Sequence, residues 1–297
     1  MPARVIELFT PETWRAGVSE AVREFIPARA IKHLKRGAGE NMFHDTLEYL
    51  AEAYNVAGDY FGDDTRARLI ETVLSRFDFF RSYHRCRPLA LESYFRDGLL
   101  PLTHERLAEI AFNLFEGTIP RTEIDARSQA ADLSTRLGHV YFTADRDELI
   151  SHCGHYLIYG PEALCCLWRD EDDRPTSRFR ESQERHRTRG VPTVFECNVP
   201  VAWIPDESRS GLASTLVTQY FQLESRRPVT PKHWSRNWGY GIERDLPAKY
   251  IRHHSHPEII PDPLCYGSRF HNPHRRCSFC FSPGNGDAPR DQGESGQ

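Results

Sequence analysis

The sequence has no long apolar run. Its 297 residues contain no apolar run whose length approaches the about 20 residues that a membrane-spanning helix needs. Mean hydropathy is −0.59. The amino-terminal stretch "MPARVIELFTPETW" lacks the apolar core of a signal peptide. These absences predict a protein without a membrane partner, and the predicted location is the cytoplasm.

Lysine is scarce. Only four of the 38 basic residues are lysines, which leaves 34 arginines; the lysines are Lys32, Lys35, Lys232 and Lys249. A net charge of −4 excludes a uniformly basic coat for nucleic acid but leaves room for a local basic groove. The arginine excess has two explanations, genomic base composition or a supply of planar groups for phosphate and carboxylate.

Cysteine is too sparse for a disulfide scaffold, because eight cysteines are spread over a chain that is long enough to bury a core. Five of them lie in apolar surroundings and are predicted to be buried thiols: Cys86, Cys153, Cys165, Cys166 and Cys197.

The remaining cysteines lie in "CYGSRFHNPHRRCSFCF". Cys277 and Cys280 have the C-x-x-C spacing with which two thiolates chelate one zinc ion. Cys265 and His274 would complete a tetrahedron, so this tail predicts a structural zinc site. The alternative is a flexible tail with exposed thiols. The upstream histidines of "HHSHP" are expected to line the end of the domain rather than bind metal.

The hydrophobic pattern divides the chain into three parts. Residues 1–80 are predicted to be an N-terminal helical region, with helices in "FHDTLEYLAEAYNV" and "DDTRARLIETVLSRFDFF". Residues 81–262 alternate short strands with helices, and "VPTVFECNVPVAWIP" is the clearest strand. Residues 169–190 are so polar that a solvated loop or insertion is expected. Residues 263–297 form the Cys/His-containing tail, with a disordered end. The predicted fold class is α+β.

Three segments in order indicate a family. "YHRCRPLALESYFRDGLLPL" has a histidine at a strand end, "HVYFT" has a central tyrosine, and "GYGIERDLPAKYI" is a late strand with a glutamate. This order resembles the ADP-ribosyltransferase fold family, in particular its histidine–tyrosine–glutamate branch, over residues 82–256. The resemblance implies a split mixed sheet and NAD as co-substrate.

The resemblance also implies roles for individual residues. His84, Tyr141 and Glu243 would be catalytic, with Glu224 as the alternative acid. His84 would bind a ribose, Arg85 or Arg87 would lie near the phosphates, and Tyr141 would stack on nicotinamide. The rest of the NAD site would be formed by Thr143 at the end of its strand and by a helix face carrying Tyr156 and Tyr159.

The chemistry of NAD cleavage fits these residue types. Tyrosine offers a rigid apolar face with a polar tip, and arginine forks bind phosphate. A carboxylate stabilises positive charge that appears only in the transition state. The predicted function is transfer of ADP-ribose to a protein or nucleic acid, in toxin, defence or stress biology. The alternatives are an NAD hydrolase and a non-catalytic, zinc-stabilised module that binds nucleic acid or protein.

Overall fold

The structure is a computed structural model that describes residues 3–37, 62–170, 174–225, 228, 231–234, 236–265 and 267–281. The helix predicted in "FHDTLEYLAEAYNV" and the disordered end predicted for the tail lie outside these residues.

Two of the helices begin at a polar side-chain cap. Thr103 accepts a hydrogen bond from the backbone of Arg106, and Asp145 accepts two from the backbone of the helix that follows it. In chain order the helices are α1 Arg15–Phe25, α2 Ala28–Gly37, α3 Asp63–Leu74, α4 Glu92–Asp97, α5 His104–Leu114, α6 Arg121–Ala130, α7 Arg146–His152, α8 Gly154–Tyr159, α9 Glu162–Cys166, α10 Ser177–Arg189 and α11 Asp206–Glu224. None of these helices combines the length and the apolar character that a membrane span requires.

The strands form one mixed sheet and one small hairpin. They are β1 Val5–Ile6, β2 Phe79–Cys86, β3 Val140–Thr143, β4 Thr193–Pro200, β5 Gly239–Ile242, β6 Ile251–Ser255, β7 Ile259–Pro261 and β8 Arg269–His271. The sheet has the order β5-β3-β2-β4-β6, with β1 parallel to the start of β2 and the other neighbours antiparallel. The strand predicted in "VPTVFECNVPVAWIP" is confirmed as β4, and the predicted α+β class is confirmed.

The two faces of the sheet pack against different parts of the chain. One face carries Phe80, Phe142 and Phe195, which share the largest core with α1, α2, α3 and α11. The opposite face carries Tyr83 and Val194, which pack under α7, α8 and the hairpin. Side chains alternate between the faces along each strand, so neighbours in sequence reach different surroundings. The first is called the inner face below and the second the outer face.

The solvated loop predicted for residues 169–190 is wrong for most of that segment. Residues Ser177–Arg189 form α10. The helix is held by ion pairs along its surface, such as Arg185 with Glu181, and by two buried side chains, Ser182 and His186. Low hydrophobicity misleads here because long charged side chains satisfy each other on the exposed side, while a narrow stripe is buried.

Candidate functional site

Four ligand-type side chains meet at the edge of the sheet. His254, His256, Cys277 and Cys280 each bring one ligand atom to within 4.8 Å of the others. Both histidines are buried and both cysteines are half-buried. The strand positions His254 in β6, and His256 follows two residues later, so both rings extend to the same side. The cysteines come from a tight 3₁₀ turn at Ser278–Phe281. This cluster is able to bind a metal ion.

The separations fit a tetrahedral site. The Sγ atoms of Cys277 and Cys280 are 3.7 Å apart, and Nε2 of His254 lies 3.3 Å and 3.4 Å from them. Zinc–ligand distances of about 2.3 Å for sulfur and about 2.0 Å for nitrogen place tetrahedral ligands about 3.5–3.8 Å apart. Three of the four ligand atoms are therefore already within a few tenths of an ångström of the required spacing.

The fourth ligand is oriented by its own hydrogen bond. Nδ1 of His256 donates to the carbonyl oxygen of Pro192 at 3.0 Å. A carbonyl only accepts, so the proton is on Nδ1 and the lone pair is on Nε2. That Nε2 is buried and has no hydrogen-bond partner among the described residues. Burial lowers the pKa of His256, which keeps the ring neutral. A histidine whose second nitrogen binds a carbonyl is the usual arrangement around a metal.

Aromatic packing fixes the turn that carries the cysteines. Phe279, between the two thiols, stacks on Phe95 of α4 with ring centroids 4.3 Å apart. Phe95 also contacts the ring of His254 edge-on at 4.9 Å. The side chain of Asn272 donates to the carbonyl of Pro257, which holds the chain leading to the turn against the hairpin. The cluster thus joins the C-terminal turn to the sheet edge and to α4.

Only part of the predicted zinc set belongs to this cluster. Cys277 and Cys280 are in it, whereas Cys265 and His274 are exposed and lie outside it. His254 and His256 replace them, although "HHSHP" was expected only to line the end of the domain. Alternation along β6 was the available signal: two histidines separated by one residue share a side of a strand.

The predicted NAD residues divide between the two faces. Tyr141 lies on the outer face, 43% exposed, beside Gly241 of β5. A side chain at Gly241 would meet the Tyr141 ring at 3.2 Å, so the glycine makes room for that ring. Two residues further along, Glu243 pairs with His139 at 3.2 Å and its side chain is 79% exposed. Tyr141 and Glu243 therefore share one surface.

Arg85 and Tyr156 extend this outer surface. Tyr83 is paired with Thr143, so the antiparallel register places Arg85 beside Tyr141. The Arg85 guanidinium lies over the Tyr156 ring, 4.3 Å from its centroid. Tyr156 donates its hydroxyl to Glu162 at 3.1 Å. A cation and two tyrosine rings line this part of the face.

His84 does not join them. It is adjacent to Arg85 in β2, so its side chain extends to the inner face, where its ring lies 5.9 Å from that of Phe142. Its Nδ1 hydrogen-bonds the backbone carbonyl of Tyr141 at 2.9 Å. Burial lowers the pKa of His84 to about 4. The predicted convergence of His84 and Tyr141 side chains on one ligand is not observed.

Arg87 is also occupied elsewhere. It is 2% exposed and donates to three carbonyl oxygens, those of Leu157 in α8 and of His186 and Arg187 in α10. These carbonyls end helices, where the helix dipole is negative. Arg87 is therefore a structural cation that joins two helix ends, and the phosphate role proposed for it is not compatible with this burial.

The remaining predicted residues have internal partners. The Thr143 hydroxyl donates to the Asp145 carbonyl at 3.3 Å. Tyr159 donates to Asp262, and burial together with that carboxylate raises the pKa of Tyr159. Glu224 accepts from Lys35 at 2.7 Å and also from Arg15, and these two cations lower its pKa. Glu224 lies at the end of α11 in an ion-pair cluster, away from Tyr141 and Glu243 on the outer face.

No family model, curated protein or solved structure matches this chain. The chemistry of the two sites therefore has to be argued from their own residues. The His/Cys cluster has four side chains that can bind a metal ion, whereas the outer face carries only some of the residues that were predicted to bind NAD.

Proposed function

We propose that the chain binds one zinc ion through His254, His256, Cys277 and Cys280, and that the ion is structural. Two nitrogens and two sulfurs are a set that favours zinc over magnesium or calcium, which prefer oxygen. With four protein ligands no position is left for water or substrate, as in structural sites. The observation that carries the proposal is the buried, unpartnered Nε2 of His256 facing two thiols and a second imidazole.

The ion would hold the C-terminal turn on the sheet. The histidines belong to the edge of the sheet and the cysteines to a turn more than 20 residues later, so one ion closes a loop of chain. Closure seats Phe279 on Phe95 and covers that end of the core. The role corresponds to the zinc-stabilised module that the sequence suggested as an alternative.

Metal content tests the proposal directly. We expect inductively coupled plasma mass spectrometry to find one zinc per chain in the wild-type protein and almost none in a Cys277→Ser, Cys280→Ser double variant. Cys265→Ser is the matched control, because this thiol is exposed in the same tail and lies outside the cluster. Zinc retained by the double variant, or absent from wild type after reconstitution with zinc, would contradict the assignment.

We propose as a second candidate that the outer face carries out NAD-dependent ADP-ribosyl transfer. The specific observation in favour is that Arg85, Tyr141 and Glu243 share one face with Tyr156. Arg85 would bind the pyrophosphate and the exposed ring of Tyr141 would stack on nicotinamide. Glu243 would stabilise the oxocarbenium ion as nicotinamide leaves, and a group of a macromolecule or a water would then attack. His84 would act only by holding the Tyr141 carbonyl.

Labelled NAD tests this candidate. Isothermal titration with NAD, followed by assay of nicotinamide release, should show binding that Tyr141→Ala weakens and turnover that Glu243→Gln abolishes. Asp147→Asn is the control, since this carboxylate is 84% exposed on the nearby α7. Adenine label on protein or nucleic acid would indicate transfer, and free ADP-ribose would indicate hydrolysis. Absence of NAD binding would reject both and leave the zinc-stabilised module.

A further inference from the structure

Helix α2 has a surface charge unlike that of the whole chain. Its sequence, "ARAIKHLKRG", contains basic residues and no acidic one. Arg29, Lys32, His33 and Arg36 are all exposed. They are spaced three, four and seven residues from the first, so they form one stripe along the helix. We call these four residues the basic stripe.

Within the part of the chain that the structure describes, no ion pair neutralises the cations of the stripe. Arg29, Lys32 and Arg36 form no ion pair with any residue in the described ranges. Glu224, which lines the same groove as Lys32 and Arg36, is already bound by Arg15 and Lys35. Arg15 and α2 therefore supply five cations against the single carboxylate of Glu224, in a chain whose net charge is −4. They are Arg15 and the four arginines and lysines of α2, namely Arg29, Lys32, Lys35 and Arg36. A concentrated positive field on an acidic protein attracts polyanions.

The packing of α2 indicates which kind of polyanion the basic stripe can bind, an anionic lipid surface or a phosphate backbone. The apolar side of the helix is used inside the protein: Ala30 and Leu34 are buried in the main core, and Ile31 packs against it. A helix that binds a lipid surface has to insert its apolar side among the acyl chains. Only the cationic side is available here, which suits a ligand recognised through phosphates alone.

We infer that the basic stripe binds the phosphate backbone of nucleic acid. From Arg29 to Arg36 the helix rises about 10 Å, and phosphates along one strand of duplex are about 3.4 Å apart along the axis, so the stripe spans about three phosphates. A groove of about 450 Å³ beside the stripe, lined by Ile31, Lys32, Lys35, Arg36 and Glu224, offers an apolar floor next to these cations. The inference does not depend on zinc binding or on ADP-ribosyl transfer.

The test compares two triple variants of the full chain. Arg29→Gln, Lys32→Gln, Arg36→Gln removes three charges from the stripe. Arg66→Gln, Arg180→Gln, Arg252→Gln removes three exposed charges from α3, α10 and β6, and serves as the matched control. Fluorescence anisotropy with a labelled duplex DNA of about 20 base pairs, much longer than the three phosphates that the stripe spans, measures affinity over a series of salt concentrations.

For wild type and the control variant we expect similar salt-dependent binding. For the stripe variant, the slope of log K against log salt should be shallower by about 3, since each lost contact to a duplex phosphate contributes about 0.9. Equal loss in both variants would show a response to net charge only and overturn the inference. So would no binding by wild type, or binding of anionic phosphatidylserine vesicles in preference to the DNA. Far-ultraviolet circular dichroism and the urea midpoint of each variant verify that its overall helix content and stability match those of wild type.

Discussion

Arg85, in β2, and Arg87, which follows the last residue of that strand, should differ sharply when replaced. Arg87 is buried and donates to three carbonyl oxygens at the ends of α8 and α10, with 2.7 Å to that of Leu157. Burial, reinforced by nearby Arg187, lowers its pKa to about 10, so it remains charged at neutral pH. Arg85 instead is half-buried on the outer face, with its guanidinium over the ring of Tyr156.

The magnitude follows from the carbonyls left behind. Arg87→Met removes every donor but retains most of the apolar volume. The carbonyl of His186 keeps its bond from the Gly190 backbone, so the carbonyls of Leu157 and Arg187 are the two that lose their side-chain donor. At about 1 kcal/mol or more for each group that loses its hydrogen bond, the free energy of unfolding should fall by about 2 kcal/mol or more. Arg85→Met loses one cation–π contact, so its loss should be about 1 kcal/mol or less.

Urea unfolding followed by circular dichroism measures both values. A free energy of unfolding for Arg87→Met that lies within about 1 kcal/mol of the wild-type value would refute the structural role argued for this guanidinium, because one unsatisfied buried group alone costs about that much. A second measurement separates the roles further: NAD titration should show a loss of affinity for Arg85→Met at a temperature where it is fully folded. Equal stability losses in the two variants would also contradict the reasoning.

Three further predictions use other parts of the molecule. Chelation of zinc should lower Tm by about 8 °C in differential scanning calorimetry. Zinc at about 1,000 times its Kd adds about 4 kcal/mol to the free energy of unfolding, and each kcal/mol corresponds to about 2 °C in a chain of this size. The Tm of the Cys277→Ser, Cys280→Ser variant should not change when chelator is added. Burial lowers the pKa of His186 to about 4 from 6.5, so the unfolded chain binds a proton that the folded chain does not, and stability is lost as pH falls through this window. In urea titrations, the free energy of unfolding of His186→Phe should fall by about 2 kcal/mol less than that of wild type between about pH 7 and pH 5. Gly98→Ala should prevent stable folding in the same assay, because Gly98 has φ +91° and its added Cβ would lie 2.0 Å from the carbonyl oxygen of Leu246.

The parts of the fold that sequence predicted are those with a local signal. β4 is a run of apolar and β-branched residues between prolines, and the helix after Thr103 has both its cap and its hydrophobic spacing in the sequence. α10 was missed because its stability comes from ion pairs and from a buried stripe only two side chains wide. Periodicity of apolar residues does not register such a helix.

The sites depended on contacts that sequence does not contain. The C-x-x-C spacing identified two ligands, because both come from one turn. The other two are set by the pairing of β6 with β4, which is a tertiary event. Likewise, Arg81, Arg85 and Arg87 have similar local sequences, yet one is buried between helix ends and another faces Tyr156. Alternation assigns them to the same side of β2, but not to the same environment.

The proposed zinc site and the outer face can be tested separately because the sheet lies between them. His254 is paired with Phe195 in β4 and extends to the inner face, as does His84, whereas Arg85 and Tyr141 extend to the other side. Loss of zinc should therefore reduce stability without removing a group from the outer face. If the Cys277→Ser, Cys280→Ser variant is assayed below its reduced Tm, its affinity for NAD should equal that of wild type. A large loss of affinity in a fully folded sample would mean that the metal supports the outer face through α4 and the bridge from Leu99 to Leu246, next to the loop that carries Glu243.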